Sequence, residues 1–308
     1  LPQQYPYGAN ALGTMWPYGA VWSDCDRTSN SVRGSAGVAI FMSKTASDAH
    51  HKAVELLGHD SAILNISPRL LAVRLIFLDA KGKHVQFLVA SAYAPPFSQN
   101  PNYADRIQTF YDNLDKLMDE VNDKDILILG GDLNAHIGTN RPIRRGQLVI
   151  PCPAIGNYGI RNINAAGKKL RTYATMNELC FPTTFFNPPC NIPLPVAHWK
   201  NKRRIKAQGY CASTFNRNGK CYQIDHFITH ARDMKRVNYA RTAKRDLVPS
   251  DHRAIEMEIK IARNLKKRKD LHKDEPDLSQ LGLKMGVDAD GNIRMIPNEY
   301  TIAFLNAA

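Results

Sequence analysis

The chain lacks several features that mark familiar classes of protein. Its six cysteines include no CxxC pair and no metal-ligand spacing, which argues against a structural zinc site. No apolar run approaches the roughly 18 residues of a membrane-spanning helix, and no signal-like apolar segment is present. No internal repeat is visible. These absences predict an intracellular protein of a reducing compartment, with no membrane partner.

Acidic residues are scarce relative to basic ones. Twenty-eight Asp and Glu face 41 Lys and Arg, so the formal net charge is +13 at pH 7. This excess predicts a polyanionic partner or substrate, because basic groups that neutralise phosphates release counterions. A basic surface kept for solubility is the alternative, and the charge alone does not identify the polyanion.

Apolar periodicity predicts an α/β fold in a chain of 308 residues, long enough for one large domain or two small ones. Helical spacing from Tyr103 to Val121 predicts one helix, and a second is expected over about 165–179 with Asn164 as its cap. Together these elements predict two packed sheets flanked by helices. The predicted strands are 36–42, 72–78, 84–93, 126–129, 221–230 and 254–261.

Composition along the chain predicts three regions. Residues 1–33 form an irregular leading segment, 34–262 the folded domain, and 263–308 a basic linker and tail. The basic run at 263–269 is typical of a solvated linker, with a nucleic-acid contact or a targeting signal as alternatives.

Three short carboxylate motifs lie at predicted strand ends: Gly130–Asn134, 224–226 and 250–252. Strand ends that meet at one edge of a sheet are a usual place for a site. Three strands that each deliver an Asp, two of them with a neighbouring His, indicate metal-assisted hydrolysis of a phosphate ester. Each motif alone is weak, because GDxN is often a strand-to-turn junction and an Asp-His pair is often accidental.

The residue types suggest how the work is divided. Asp132 can accept a proton from water, and Asn134, two residues on along an extended chain, can donate its amide to the phosphate or the water. Asp251 offers a hard oxygen ligand that suits Mg²⁺. His252 can donate to a phosphoryl oxygen while Asp225 fixes its tautomer.

In their order, these motifs resemble the endonuclease/exonuclease/phosphatase superfamily. The wording GDLNAHIG at 131–138 and NINAAGKKL at 162–170 is most similar to the apurinic-like endonuclease domains of non-LTR (LINE-type) retrotransposons. The resemblance covers roughly residues 34 to 262. The matching segments are SAYAP at 91–95, GGDLN at 130–134, QIDH at 223–226 and SDH at 250–252.

The resemblance implies a four-layer α/β sandwich and phosphodiester cleavage that depends on Mg²⁺, with Mn²⁺ as an alternative cofactor. It implies DNA as the partner and, for the retrotransposon group, a reverse transcriptase region in the same polyprotein. The implied roles are water activation for Asp132, phosphate contact for Asn134 and Tyr93, phosphate stabilisation by the Asp225–His252 pair, and metal binding for Asp251.

Two departures from the family pattern stand out. The family's early metal-binding Glu is missing, since no Glu precedes Glu55, so the chain is expected to be N-terminally truncated or a decayed copy. The aromatic that relatives place before QIDH, often as Thr-Trp and a short polar turn, is here assigned to Trp199. The basic residues Lys202, Arg203 and Arg204 follow it, which predicts a DNA contact, with an ordinary exposed loop as the alternative.

The leading hypothesis is a retrotransposon-derived DNA endonuclease that nicks one strand and leaves a 3′ hydroxyl. Nuclear residence is expected from that function. Two alternatives stay open. One is a phosphatase or phospholipase of the same fold, and the other is a nucleic-acid-binding remnant without catalysis, which the missing Glu favours.

Overall fold

The computed structural model describes residues 19–23, 37–99, 101–141, 151–187, 212–217, 220–243, 250–261, 284–287, 293–296 and 302–306. Its α-helices are α1 (Lys44–Leu57), α2 (His59–Ala62), α3 (Tyr103–Asp119) and α4 (Ala165–Met176), with 3₁₀ helices at Pro182–Thr184 and Ala231–Arg236. The strands are β1 (Ala20–Trp22), β2 (Val38–Met42), β3 (Ile63–Ser67), β4 (Leu70–Leu78), β5 (His84–Tyr93), β6 (Asp125–Asp132), β7 (Leu179–Cys180), β8 (Phe215–Arg217), β9 (Lys220–Tyr222), β10 (Asp225–His230), β11 (Val237–Thr242), β12 (Ile255–Ile259), β13 (Lys284–Val287), β14 (Ile293–Ile296) and β15 (Ile302–Asn306).

The α/β class predicted from the sequence is confirmed. A mixed six-stranded sheet has the strand order β3-β4-β5-β6-β10-β7. Every residue of β6 is buried, as is every residue of β4 from Leu70 to Ile76. Strands without an alternating exposed face are typical of the middle of a sheet that is covered on both sides. This sheet forms the core that carries the site.

The chain divides into two compact units, and β5 runs from one into the other. The first unit comprises residues 1–91, 112–125 and 261–308, and the second comprises 92–111 and 126–260. The first contains β3, β4 and most of β5, and the second contains the end of β5 together with β7, β10 and all of β6 except Asp125. The three regions predicted from composition stay a prediction.

The predicted helices are confirmed, and their ends have local causes. The Asn164 side chain accepts the Gly167 N–H at 2.7 Å, so α4 begins where the cap was predicted. The first unit also contains α1, which the sequence analysis did not anticipate. Its N-cap is Ser43, whose hydroxyl accepts the Ala46 N–H, and it ends before Gly58 at φ 83°.

Both ends of the chain contribute strands to the first unit. Strand β1 lies in the segment predicted to be irregular and pairs antiparallel with β2. On its other side β2 pairs with β15, from the segment predicted to be a linker and tail. Three-residue strands such as β1 are too short for apolar periodicity to reveal. Among the described residues, no helix is long and apolar enough to cross a membrane.

Candidate active site

Asp132 and Asp225 lie directly opposite each other in the second unit. Strand β6 ends at Asp132, β10 begins at Asp225, and the two strands pair antiparallel with these residues in register. Antiparallel pairing brings the end of one strand to the start of the next, so both carboxylates lie at the same edge of the sheet. Both residues are buried, with 6% and 8% of their surface exposed.

A glycine before Asp132 permits close contact with the end of β5. Gly131 has φ 151°, and a Cβ placed there would lie 1.8 Å from the carbonyl oxygen of Ala92. Ala94 donates its N–H to the carbonyl of Asp132 at 2.9 Å. Tyr93, at the end of β5 and half-buried, is therefore held in the chain segment next to Asp132. The GGD sequence thus has a packing reason beside its resemblance to a family motif.

The expectation of an extended chain at Asn134 is wrong. Asn134 adopts φ 47°, and its N–H donates to Asp132 Oδ1 at 2.9 Å. Its side-chain Nδ2 donates to Asp132 Oδ2 at 3.3 Å and to the Ala94 carbonyl at 2.9 Å. A short polar side chain that bonds the local backbone stabilises the left-handed conformation. In this arrangement the amide donors of Asn134 orient Asp132.

His252 is paired with Asp225. Its Nδ1 lies 3.1 Å and 3.2 Å from the two carboxylate oxygens. Partial burial lowers the pKa of His252, but the hydrogen bond and charge of Asp225, together with the charges of Asp132 and Asp251, outweigh it and raise the pKa above its ordinary value. With Nδ1 engaged, Nε2 is the ring nitrogen left to serve a substrate.

The carboxyl group of Asp132 is an unusually weak acid. Burial and the nearby negative charge of Asp225 raise the pKa of Asp132 from 3.8 to about 7, although the Asn134 N–H and the charge of His252 act in the opposite direction. Carboxylates with pKa values near neutrality are typical of sites that move protons.

Together, Asp132, Asp225 and His252 form a cluster whose ligand-type atoms all lie within 4.8 Å of one another. Two buried carboxylates, one of them with a raised pKa, make a site that a cation would stabilise. Carboxylate oxygens are the ligands that Mg²⁺ and Mn²⁺ favour. The cluster therefore fits a divalent cation held by Asp132 and Asp225.

Other residues predicted for the site are placed differently. Asp251 is exposed and is not a member of this cluster, so its role as a metal ligand stays a prediction. Trp199, Lys202, Arg203 and Arg204 lie outside the described residues. Glu55 is an exposed residue of α1, where it forms an ion pair with Lys52 at 3.0 Å.

Thr214 is a residue that the sequence analysis missed. Its hydroxyl oxygen accepts the N–H groups of Ile224 and Asp225, both at 3.1 Å, and its side chain is buried. Phe215 follows, with its ring centroid 4.6 Å from that of His252. A threonine and an aromatic, then a short hairpin and QIDH, match the family pattern that had been assigned to Trp199. The signal was present, with its aromatic 16 residues after Trp199.

Replacing Thr214 with valine is expected to lower stability and activity together. Valine keeps the shape of threonine but leaves two buried N–H groups without an acceptor, at a cost of about 1–3 kcal/mol in the free energy of unfolding. Thr214→Ser, which keeps the hydroxyl, is the matched control. Thermal unfolding and plasmid nicking check both variants. Wild-type stability in the valine variant would show that the hydroxyl does not support Asp225.

His226 lies in β10 and is fully buried against the loop that follows β6. Its Nε2 lies 2.9 Å from the Ala135 carbonyl, and Phe181 packs edge-on against the ring at 5.6 Å. Burial lowers the pKa of His226 to about 4, because the imidazolium would lose its hydration there. The ring is therefore neutral at physiological pH, with a hydrogen on Nε2 that it donates to Ala135.

We expect His226 to make the protein sensitive to acid. The unfolded ring takes up a proton near pH 6.5 and the folded ring only near pH 4, so its contribution is fully present above pH 6.5 and is lost between those values. At about 1.4 kcal/mol per pKa unit, the loss is about 3 kcal/mol. Denaturant unfolding at pH 7 and pH 4 should show a stability gap between wild type and His226→Phe that changes with pH. A stability gap that is the same at pH 7 and pH 4 would contradict the lowered pKa of His226.

Comparisons with known proteins find distant likenesses. No model of a protein family matches the chain. Craniofacial development protein 2 of Tragulus javanicus is 26% identical over 184 residues, which cover 59% of this chain and 27% of that protein. The same protein of Bos taurus is 28% identical over 118 residues, which cover 38% and 18%. The chain thus spans about a quarter or less of the curated relatives it matches.

Solved structures are also similar over part of the chain. The endonuclease domain of TRAS1, a telomere-specific non-LTR retrotransposon, is 14% identical with a TM-score of 0.38 and 63% of each chain covered. The catalytic domain of Xenopus laevis APE2 is 13% identical with a TM-score of 0.38, covering 65% of this chain and 59% of that one. The 3′-5′ exonuclease NExo of Neisseria meningitidis is 15% identical with a TM-score of 0.38, covering 64% and 68%. Because these values are low, any proposal about function rests on the chain's own residues.

Proposed function

We propose that the chain is a metal-dependent phosphodiester hydrolase that nicks one strand of DNA. The observation that carries this proposal is the cluster of buried Asp132 and Asp225 with half-buried His252 at one sheet edge. A cluster with two carboxylates and an imidazole hydrogen-bonded to one of them combines the parts that phosphate-ester hydrolysis requires. The net charge of +13 supports a polyanionic substrate.

The residues divide the chemistry between them. Asp132 accepts a proton from the attacking water, and Asn134 holds its carboxylate in place. Asp225 favours the imidazolium form of His252, which donates from Nε2 to a phosphoryl oxygen where negative charge develops. A divalent cation held by Asp132 and Asp225 would supply further positive charge to the phosphate.

The finer assignment follows the resemblance of the motifs. The order SAYAP, GGDLN, QIDH and SDH is similar to retrotransposon endonucleases, so we propose that the nick leaves a 3′ hydroxyl suited to priming a reverse transcriptase. Tyr93, next to Ala94 at the end of β5, is proposed to contact the phosphate, and Asp251 to assist in binding metal. Action on DNA in the cell would place the protein in the nucleus.

The test is conversion of supercoiled plasmid to open circles with Mg²⁺, with Mn²⁺ and with EDTA. We expect nicking with either metal, none with EDTA, and nicks that a DNA polymerase extends without prior phosphatase treatment. DNA binding without nicking under any metal would replace this proposal with that of a binding remnant. In that case the affinity for DNA would fall as the salt concentration rises and would not respond to EDTA.

A further inference from the structure

Arg253 is a buried arginine that directly follows His252. Only 6% of its surface is exposed. Its guanidinium donates from Nη2 to the carbonyl of Ala243 at 3.0 Å and, over a longer distance of 3.5 Å, from Nη1 to the carbonyl of Ser213. Its backbone N–H donates to the carbonyl of Thr214 at 2.6 Å. Arg253 therefore bonds two separate chain segments.

Both segments also bond the backbone at His252 or just after it. On one side, His252 forms an isolated β-bridge with Phe215, which follows Ser213 and Thr214. On the other side, the Ala243 N–H donates to the Ala254 carbonyl at 2.8 Å. The preceding residues, Ser250 and Asp251, are exposed. The His252 N–H also donates to the Ser250 hydroxyl at 3.0 Å, which is a local contact. The contacts that tie His252 to distant parts of the chain come from the segments joined by Arg253.

Packing alone does not explain an arginine at this position. Burying a guanidinium costs free energy, and an apolar side chain of similar volume often stabilises a protein as well or better. The advantage of arginine is geometric. Its planar guanidinium presents several donors in fixed directions and can bond two carbonyls at once. A lysine ammonium carries a compact charge on a flexible stem and lacks that planar geometry.

We propose that Arg253 is a positioning residue that holds His252 in register with Asp225. This proposal rests on the proposed function. Arg253 affects catalysis through the His252 imidazole and does not touch the DNA. By joining Ser213 to Ala243, the guanidinium fixes the backbone on which His252 is carried. The Nδ1 atom then faces both oxygens of Asp225, at 3.1 Å and 3.2 Å.

The test compares Arg253→Met and Arg253→Lys with a matched control. Arg241→Met removes another arginine of the second unit, one that pairs with Glu256 across β11 and β12 and stacks on Tyr239 at 4.5 Å. The readout is the NMR signal of the His252 Nδ1–H proton in metal-free protein without DNA, assigned by its loss in His252→Gln. An Nδ1–H proton that is hydrogen-bonded to a carboxylate gives a downfield NMR signal and exchanges slowly with solvent.

We expect this signal in wild type and in Arg241→Met, a broadened signal in Arg253→Lys, and none in folded Arg253→Met. In nicking assays, Arg253→Met should lower kcat by about 10- to 100-fold with KM for DNA unchanged, and lysine should restore part of the rate. A full signal in Arg253→Met would overturn the proposal. If that variant does not fold, a full signal in Arg253→Lys would overturn it. Because the signal needs neither metal nor DNA, an inactive wild type would refute the nuclease proposal and leave this one decided by NMR.

Discussion

Replacing Asp132 with asparagine is expected to abolish nicking and at the same time to stabilise the metal-free protein above neutral pH. The activity falls because asparagine cannot accept the proton of the attacking water, a loss on the order of 1,000-fold for a general base. Asparagine has nearly the same shape as aspartate, so the hydrogen bond from the Asn134 N–H can be kept, while the longer one from Asn134 Nδ2 at 3.3 Å is lost. Loss of activity would therefore not reflect a disordered site.

The gain in stability follows from the raised pKa of Asp132. The unfolded carboxyl ionises near pH 3.8 and the folded one near pH 7, so the folded state is penalised as pH rises between these values and fully above pH 7. About three pKa units correspond to a penalty on the order of 4 kcal/mol, which asparagine removes. The variant should gain stability in EDTA at pH 8.5 and show little difference at pH 4.

Denaturant unfolding in EDTA checks the stability, and plasmid nicking with Mg²⁺ checks the activity. Asp115→Asn, which changes an exposed carboxylate of α3, is the control and should alter neither property. An Asp132→Asn protein that is less stable than wild type at pH 8.5 would show that Asp225 and burial do not raise the pKa of Asp132. One that nicks at the wild-type rate would remove Asp132 from the mechanism.

Replacing Gly131 with alanine is expected to destabilise the folded protein strongly, although it adds only one methyl group. The added Cβ would lie 1.8 Å from the carbonyl oxygen of Ala92 and 2.8 Å from its carbon, both backbone atoms that cannot turn away. The backbone at φ 151° also disfavours any side chain. We expect a loss of more than about 3 kcal/mol in the free energy of unfolding.

Gly82→Ala is the matched control for this substitution. Gly82 also has a positive φ, 72°, but a Cβ there would meet no atom within 4 Å. Its cost should therefore be the backbone strain alone, about 1 kcal/mol. Denaturant unfolding of both variants separates the free-energy cost of the close contact at Gly131 from the cost of backbone strain. Equal losses would contradict the contact between Gly131 and Ala92.

Elements with long apolar patterns were predictable from the sequence. The spacing from Tyr103 onward gave α3, and the continuous apolar run before Asp132 gave β6, because burial imposes a period on many residues at once. Helix α1 was missed because its buried face is made of small or polar residues such as Ala49, Ala53 and His50. Such residues carry little apolar signal.

The site was predictable as a set of residues but not as a network. The motifs named Asp132, Asp225 and His252, and the structure brings them together. The left-handed backbone of Asn134 could have been read from Asp-x-Asn, since such side chains bond the local backbone in turns. Thr214 was missed although a threonine and an aromatic precede QIDH, because its acceptor role depends on the hairpin formed by the three-residue strands β8 and β9.

The most direct test of the central claim is a double-mutant cycle on the Asp225–His252 pair. It measures initial nicking rates with Mg²⁺ for wild type, Asp225→Asn, His252→Gln and the double variant. If the two side chains act as one unit through their hydrogen bond, each single change should cost about 100-fold or more, and the double variant should be little slower than either. Wild-type rates in the single variants, or losses that multiply in the double variant, would contradict a catalytic pair at this sheet edge.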